Sequence, residues 1–236
     1  MNLPNKLYTF IPALLILTST ATAQEVEERK NALVDVFENA GVIGWCIVGV
    51  SVLSLALIIE CFMNLKRDKI APPDLIDELE ALFDEENFQE ALEICENERN
   101  YLTNVVAAGL SKLGHAFETI QTSVREMEDE ESVRLFQKIG YLSLIAATAP
   151  MMGLLGTVTG MFVTFGDIAS AGGSVSPAEL AGGIKLALTT TIFGLIVAIP
   201  VGAFFFMFRN RVLRTTIEVN AIAEDLFERF RPKQQG

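Results

Sequence analysis

The chain has 236 residues, is 50% hydrophobic and 20% charged, and carries a formal net charge of −12. Its mean hydropathy of +0.38 is high for a soluble protein, so the composition points to separate membrane and aqueous parts rather than one globular core. The acidic balance argues against a nucleic-acid binder, which needs a basic face. Three cysteines without a CxxC, beside the single histidine His115, leave no zinc site; no metal or cofactor is expected.

In chain order, residues 1–23 read as a signal peptide. Lys6 gives a weakly positive start, Leu7 to Leu17 a short apolar stretch, and Ala21-Thr22-Ala23 a small-x-small cleavage signal before Gln24. If that segment stays uncut with its start inside, the next one still lies outside. Residues 24–39 are then a charged, exported (periplasmic) extension. Residues 40–64 form the first transmembrane helix, uncharged from Ala40 to Ile59, about the 20 residues a span needs. Trp45 sits near its outer end, where an indole suits the interface, and the Lys66–Lys69 run "KRDK" places the other end in the cytoplasm. Cys46 and Cys61 fall in this run and are expected to be small buried hydrophobes.

Residues 65–138 read as a cytoplasmic helical domain. Leu75, Leu79 and Leu82, then Phe88, Leu92 and Cys95, recur at helical spacing, giving a hairpin that turns near residues 85–87. A second helix is expected from about Thr119 to Lys138, leading into the next apolar run. Its many carboxylates alternate with core positions and form a solvated face; His115 is an ordinary polar residue. The second transmembrane helix covers 139–167, uncharged from Ile139 to Gly166. Residues 168–178, within "DIASAGGSVSPAEL", lack Lys and Arg, as expected of a periplasmic loop. Ser176 can cap the third transmembrane helix, 179–208, with Pro177 at its first position and Glu179 in its first turn. That helix ends at Arg209, Arg211 and Arg214, again on the inside. Residues 209–236 are a cytoplasmic amphipathic helix with Ile217, Ile222 and Leu226 on its apolar side. The fold class is all-α: an integral membrane protein with three transmembrane helices and a cytoplasmic helical domain between the first two. No phosphate-binding loop, nucleophile elbow or clustered catalytic side chains occur, so the chain is not read as an enzyme.

The second and third spans are two-faced. With Thr157 as reference and about 100° per residue, Gly153, Gly160 and Thr164 share its face, while Met151, Leu155 and Phe162 take the other. Around Thr191, the small residues Ala187, Gly194, Ala198 and Gly202 align at spacings of three and four. Pro150 and Pro200 are candidate kinks in these helices. Two readings fit. Small residues let membrane helices approach closely, as in the GxxxG of Gly156 and Gly160, with threonines bonded to their own backbone. Alternatively, Thr157 and Thr191 face a confined polar path, since alanine packs as closely as threonine.

"APMMGLLGTVTGMFVTF" and "GGIKLALTTTIFGLIVAIP" resemble the MotA/TolQ/ExbB proton-channel family, over about residues 100–225 and most specifically over 146–203. The layout resembles ExbB and TolQ more than MotA, whose span count differs. The resemblance implies a homopentameric barrel in the bacterial inner (cytoplasmic) membrane. Its second and third spans would surround the single-span helices of an ExbD- or TolR-like partner. It also implies that proton-motive force drives rotation, passed on through a TonB- or TolA-like protein. The pore threonines of the family match Thr157 and Thr191, and Thr164, Gly153, Gly160, Ala187, Gly194 and Ala198 share their faces as pore-lining candidates. The family glutamate of the last span matches Leu186 here. The chain therefore supplies no central acid, and the resemblance implies an intramembrane Asp from the partner. Lys185 either snorkels to the outer interface or pairs with a partner acid. The function expected is an ExbB-like stator subunit energising TonB-dependent outer-membrane transport. The alternatives are a TolQ-like envelope motor subunit and a non-conducting membrane scaffold.

Overall fold

The structure, a computed structural model, describes residues 41–170 and 176–231. The expected signal peptide, the exported extension and the middle of the outer loop lie outside the described residues. Within them the chain is helical: α1 (Gly41–Asn64), α2 (Arg67–Ile70), α3 (Pro73–Asp84), α4 (Phe88–Asn97), α5 (Tyr101–Leu110), α6 (Phe117–Ser170) and α7 (Pro177–Glu228). Three of these, α1, α6 and α7, are long and apolar enough to cross a membrane.

Local chemistry sets several of the helix ends. α3 begins with proline at its first position, where a missing N–H costs nothing. Its hairpin to α4 turns through Glu86 at φ 54°, within the 85–87 turn expected from the sequence. α5 opens on a capping box: Asn100 accepts from the Thr103 N–H while Thr103 Oγ1 accepts from the Asn100 N–H. α7 opens in the same way, with the Glu179 N–H donating to Ser176 Oγ at 3.2 Å and the Ser176 N–H donating to Glu179 Oε2 at 3.0 Å. α6 and α7 contain 54 and 52 residues and continue past the points where the sequence turns from apolar to charged. A change of solvent does not itself break a helix, because each backbone bond is made within the helix. Pro150 and Pro200 both lie inside these helices, each removing one backbone bond.

The described residues divide into two compact units, 41–49 with 149–170 and 176–196, and 50–148 with 197–231. The divisions fall beside Pro150 and a few residues before Pro200.

The second unit has the larger apolar core. Leu65, Leu75, Leu79, Phe83, Leu102, Val105, Val106, Val124, Ile139, Leu142, Phe208, Val212, Val219 and Phe227 are all buried in it. Gly109 of α5 lies against the ring of Phe227, leaving no room for a Cβ. Phe83, Phe88, Phe227 and Phe230 form an aromatic cluster in which Phe83 meets Phe88 and Phe227 edge to face, 5.6 Å from each. The Tyr101 hydroxyl joins three helices, donating to Asn220 Oδ1 at 2.7 Å, with Ser132 Oγ at 3.0 Å. Cys95 is buried in this core, and burial pushes its thiol up to about 12. Ion pairs Arg67–Glu218 and Arg229–Asp84 lie on the unit's exposed rim, where each contributes little.

The first unit contains the start of α1, residues 149–170 of α6 and residues 177–196 of α7. Gly44 and Ile47 of α1 are buried, whereas Trp45 and Cys46 are exposed. Cys46 thus departs from the expected buried position. The apolar run of α1 lets it face lipid at no cost, and periodicity does not separate a lipid-facing residue from a core one.

Candidate functional site

The small-residue faces of α6 and α7 are pressed together. A Cβ on Gly153 would come 2.8 Å from the Thr191 Cα and 2.9 Å from the Thr190 carbonyl oxygen. A Cβ on Gly194 would come 2.6 Å from the Ala149 carbonyl oxygen, and one on Gly160 would meet the Ala187 side chain at 3.0 Å. Gly156 lies against the Thr190 side chain and Gly183 against that of Thr164. Moving outward along α6, the opposing α7 numbers fall, so the two helices run antiparallel with backbones in direct contact. The bulky faces point away: Met151, Leu155 and Phe162 are exposed, Phe162 by 80%.

The hydroxyls in this unit differ. Thr157, 5% exposed, donates to the Leu154 carbonyl at 2.6 Å. Thr164 donates to the Gly160 carbonyl at 2.9 Å, and Thr159 and Thr189 make similar bonds one turn back. Thr190, 4% exposed, has the Ala187 carbonyl at 2.8 Å and reaches across to the Gly153 carbonyl at 3.1 Å. Thr191 stands apart: its Oγ1 is buried and has no hydrogen-bond partner. A hydroxyl sealed from water without a partner is costly, so Thr191 is an unsatisfied position within the helix seam.

A groove of about 450 Å³ runs along this unit, lined by Gly156, Thr159, Gly160, Thr164, Gly183, Leu186, Ala187 and Thr190, with Val42 of α1 and Asp167 of α6. Leu186 therefore presents a hydrocarbon side chain to it. Asp167, one residue past the uncharged run, supplies a carboxylate among the described residues that line the groove. Lys185 is exposed and makes no ion pair among the described residues. Ala198 is buried, and a Cβ on Gly202 would meet Ala146 at an ordinary 3.8 Å, so this lower part of the α7 stripe packs less tightly. The sequence reading passed over Thr190. It lies three residues after Ala187 and four before Gly194, so the same projection around the α7 stripe would have found it.

The family model for MotA/TolQ/ExbB proton channels matches residues 97–221, more than half of the chain. The chain belongs to the MotA/TolQ/ExbB proton channel family. Biopolymer transport protein ExbB of Neisseria meningitidis is 31% identical over 193 residues, 80% of this chain and 86% of its own length. An ExbB homolog of Methanothermobacter thermautotrophicus is 28% identical over 71% of this chain, and an ExbB-like protein of Synechocystis is 33% identical over the same share. The matched stretches span 59% and 66% of those two relatives' own lengths. Among solved structures, a chain of Campylobacter jejuni MotAB matches with a TM-score of 0.52 at 18% identity, covering 93% of this chain and 89% of its own. At that identity the likeness speaks for the fold alone. The MotA/TolQ/ExbB fold and three long apolar helices make this a multi-pass membrane protein, of a family defined by proton conduction rather than by an enzymatic reaction.

Proposed function

We propose that the chain is an ExbB-like stator subunit that conducts protons together with a single-span, ExbD-like partner. In this reading it sits in the bacterial inner membrane as a homopentamer, with its N-terminus in the periplasm after signal cleavage. Residues 65–138 and 209–236 lie in the cytoplasm. Proton-motive force is converted into work on a TonB-like protein, and through it on outer-membrane transport. The observation that carries the proposal is the Thr191 hydroxyl, buried and unpaired in a seam where neighbouring threonines bond to backbone carbonyls. Leu186 puts hydrocarbon in the groove, and the carboxylate of Asp167 lies just past the uncharged run; in this reading the central titrating acid is a carboxylate on the partner helix. Thr191 and Thr157 then orient that carboxylate or the water beside it. Lys185 snorkels toward the outer interface.

The test is proton flux in vesicles carrying the chain with its ExbD-like neighbour. Thr191→Val should reduce flux at least tenfold while assembly is retained. Because the mutation removes an unsatisfied buried hydroxyl, its effect on helix stability should be neutral or favourable. Thr157→Val removes a bond already made to the chain's own backbone, so it should impair flux less than Thr191→Val. Full flux in both variants would refute the pore role. A complex that assembles with its partner but conducts nothing would favour the scaffold alternative. Dependence on a TolA-like rather than a TonB-like protein would identify a TolQ-like envelope motor.

A further inference from the structure

The second unit holds a carboxylate that nothing above uses. Glu128 of α6 is 6% exposed, and its Oε1 is buried without a hydrogen-bond partner. It sits where α5, α6 and α7 meet: the Tyr101 hydroxyl of α5 lies 3.2 Å from the Glu128 carbonyl oxygen and 2.7 Å from Asn220 Oδ1 of α7. The titratable groups around it come from each of these helices. α7 brings Glu224, α6 brings Arg125 and Asp129, and α5 brings Tyr101. Arg125 is shared with Glu224, 4.0 Å away. Glu131, one turn along α6, is taken by Asn104 at 2.9 Å and by Arg134. Glu128 is thus a buried carboxylate facing two other carboxylates and one shared guanidinium, with no donor for Oε1. An ionised carboxylate so placed is penalised by its lost hydration, whereas a protonated one is neutral.

We propose that Glu128 is a proton-binding site that ties the packing of α5, α6 and α7 to the pH of the surrounding compartment. That this compartment is the cytoplasm rests on the topology proposed above; the site itself does not. Burial, then the charge of Glu224, raise the Glu128 carboxyl to about 7 despite the opposing Arg125. Its ordinary value is 4.5. Between these two values the folded unit holds a proton that the unfolded chain has released. Stability therefore falls as pH rises through this window and is level above it. Near neutrality the site is about half occupied, so the unit is firmer on the acid side and looser on the alkaline side.

The experiment uses the full chain in lipid nanodiscs. Infrared titration should show a buried carboxyl with a midpoint near neutrality that disappears in Glu128→Gln. Corrected for intrinsic rates, hydrogen-exchange protection of peptides containing Tyr101 should drop several-fold between about pH 6 and about pH 8. Glu128→Gln should keep the low-pH protection throughout. Glu224→Gln alters an exposed side chain and should move the midpoint downward, which decides the matter even if Glu128→Gln fails to fold. A midpoint in the ordinary carboxylate range, or one that Glu224→Gln leaves unmoved, overturns the proposal. Because neither readout involves proton flux, a chain that conducts nothing but shows this titration would refute the channel reading and leave the site standing.

Discussion

Thr157 and Thr191 look alike in the sequence and differ in the folded chain. Both lie on small faces, yet the Thr157 hydroxyl has a backbone acceptor and the Thr191 oxygen has none. The choice between helix packing and a polar path thus separates by residue. Thr157 fits the self-satisfied threonine of a packed helix, and Thr191 does not. Side-chain torsions decide this, and no periodicity carries them. The cysteines make a second distinction at the same scale. Cys46 is exposed on an apolar face, whereas Cys61 and Cys95 are buried. A lipid-soluble maleimide should therefore label the folded chain at Cys46. Cys95, whose thiol is pushed up to about 12, should react only after denaturation. Mass spectrometry of labelled peptides checks this, and rapid labelling of Cys95 in the folded chain would contradict its placement.

At the scale of elements, the seam of α6 and α7 depends on glycine at particular positions. Gly194→Ala places a methyl against the Ala149 carbonyl, where backbone must yield, and should cost about 1–3 kcal/mol by overpacking. Gly182→Ala meets nothing within 4 Å and should be neutral or stabilising by a few tenths, through helix propensity. Thermal unfolding in one detergent, measured for both variants, separates a steric effect from a general intolerance of substitution. The seam was legible in the sequence because small residues recur at helical spacing, as was the α7 cap from Ser176, Pro177 and Glu179. α5 was not. "YLTNVVAAGL" carries no charged face to mark a period, and its identity as a helix rests on the Asn100–Thr103 capping box and on burial against Phe227. The unbroken course of α7 was hidden for the opposite reason: the change from apolar to charged residues resembles a boundary, but the helix runs through it.

For the whole molecule, the three apolar helices and the family were legible because lipid demands long uncharged runs and the glycine-threonine motifs are specific. Neither feature identifies a partner. Affinity purification in mild detergent should retain a single-span protein with an intramembrane Asp, at a native mass fitting a homopentamer around it. Asp→Asn in that protein should abolish flux without releasing it, and a purified complex containing this chain alone would argue for the scaffold alternative. The contact of glycine backbone on α6 with threonine on α7 also bears on how the protein meets its bilayer. Where Gly153 and Gly194 bring backbone against backbone, no acyl chain fits between the two helices. Changes in bilayer thickness alter the wetting of the outward aliphatic flanks instead.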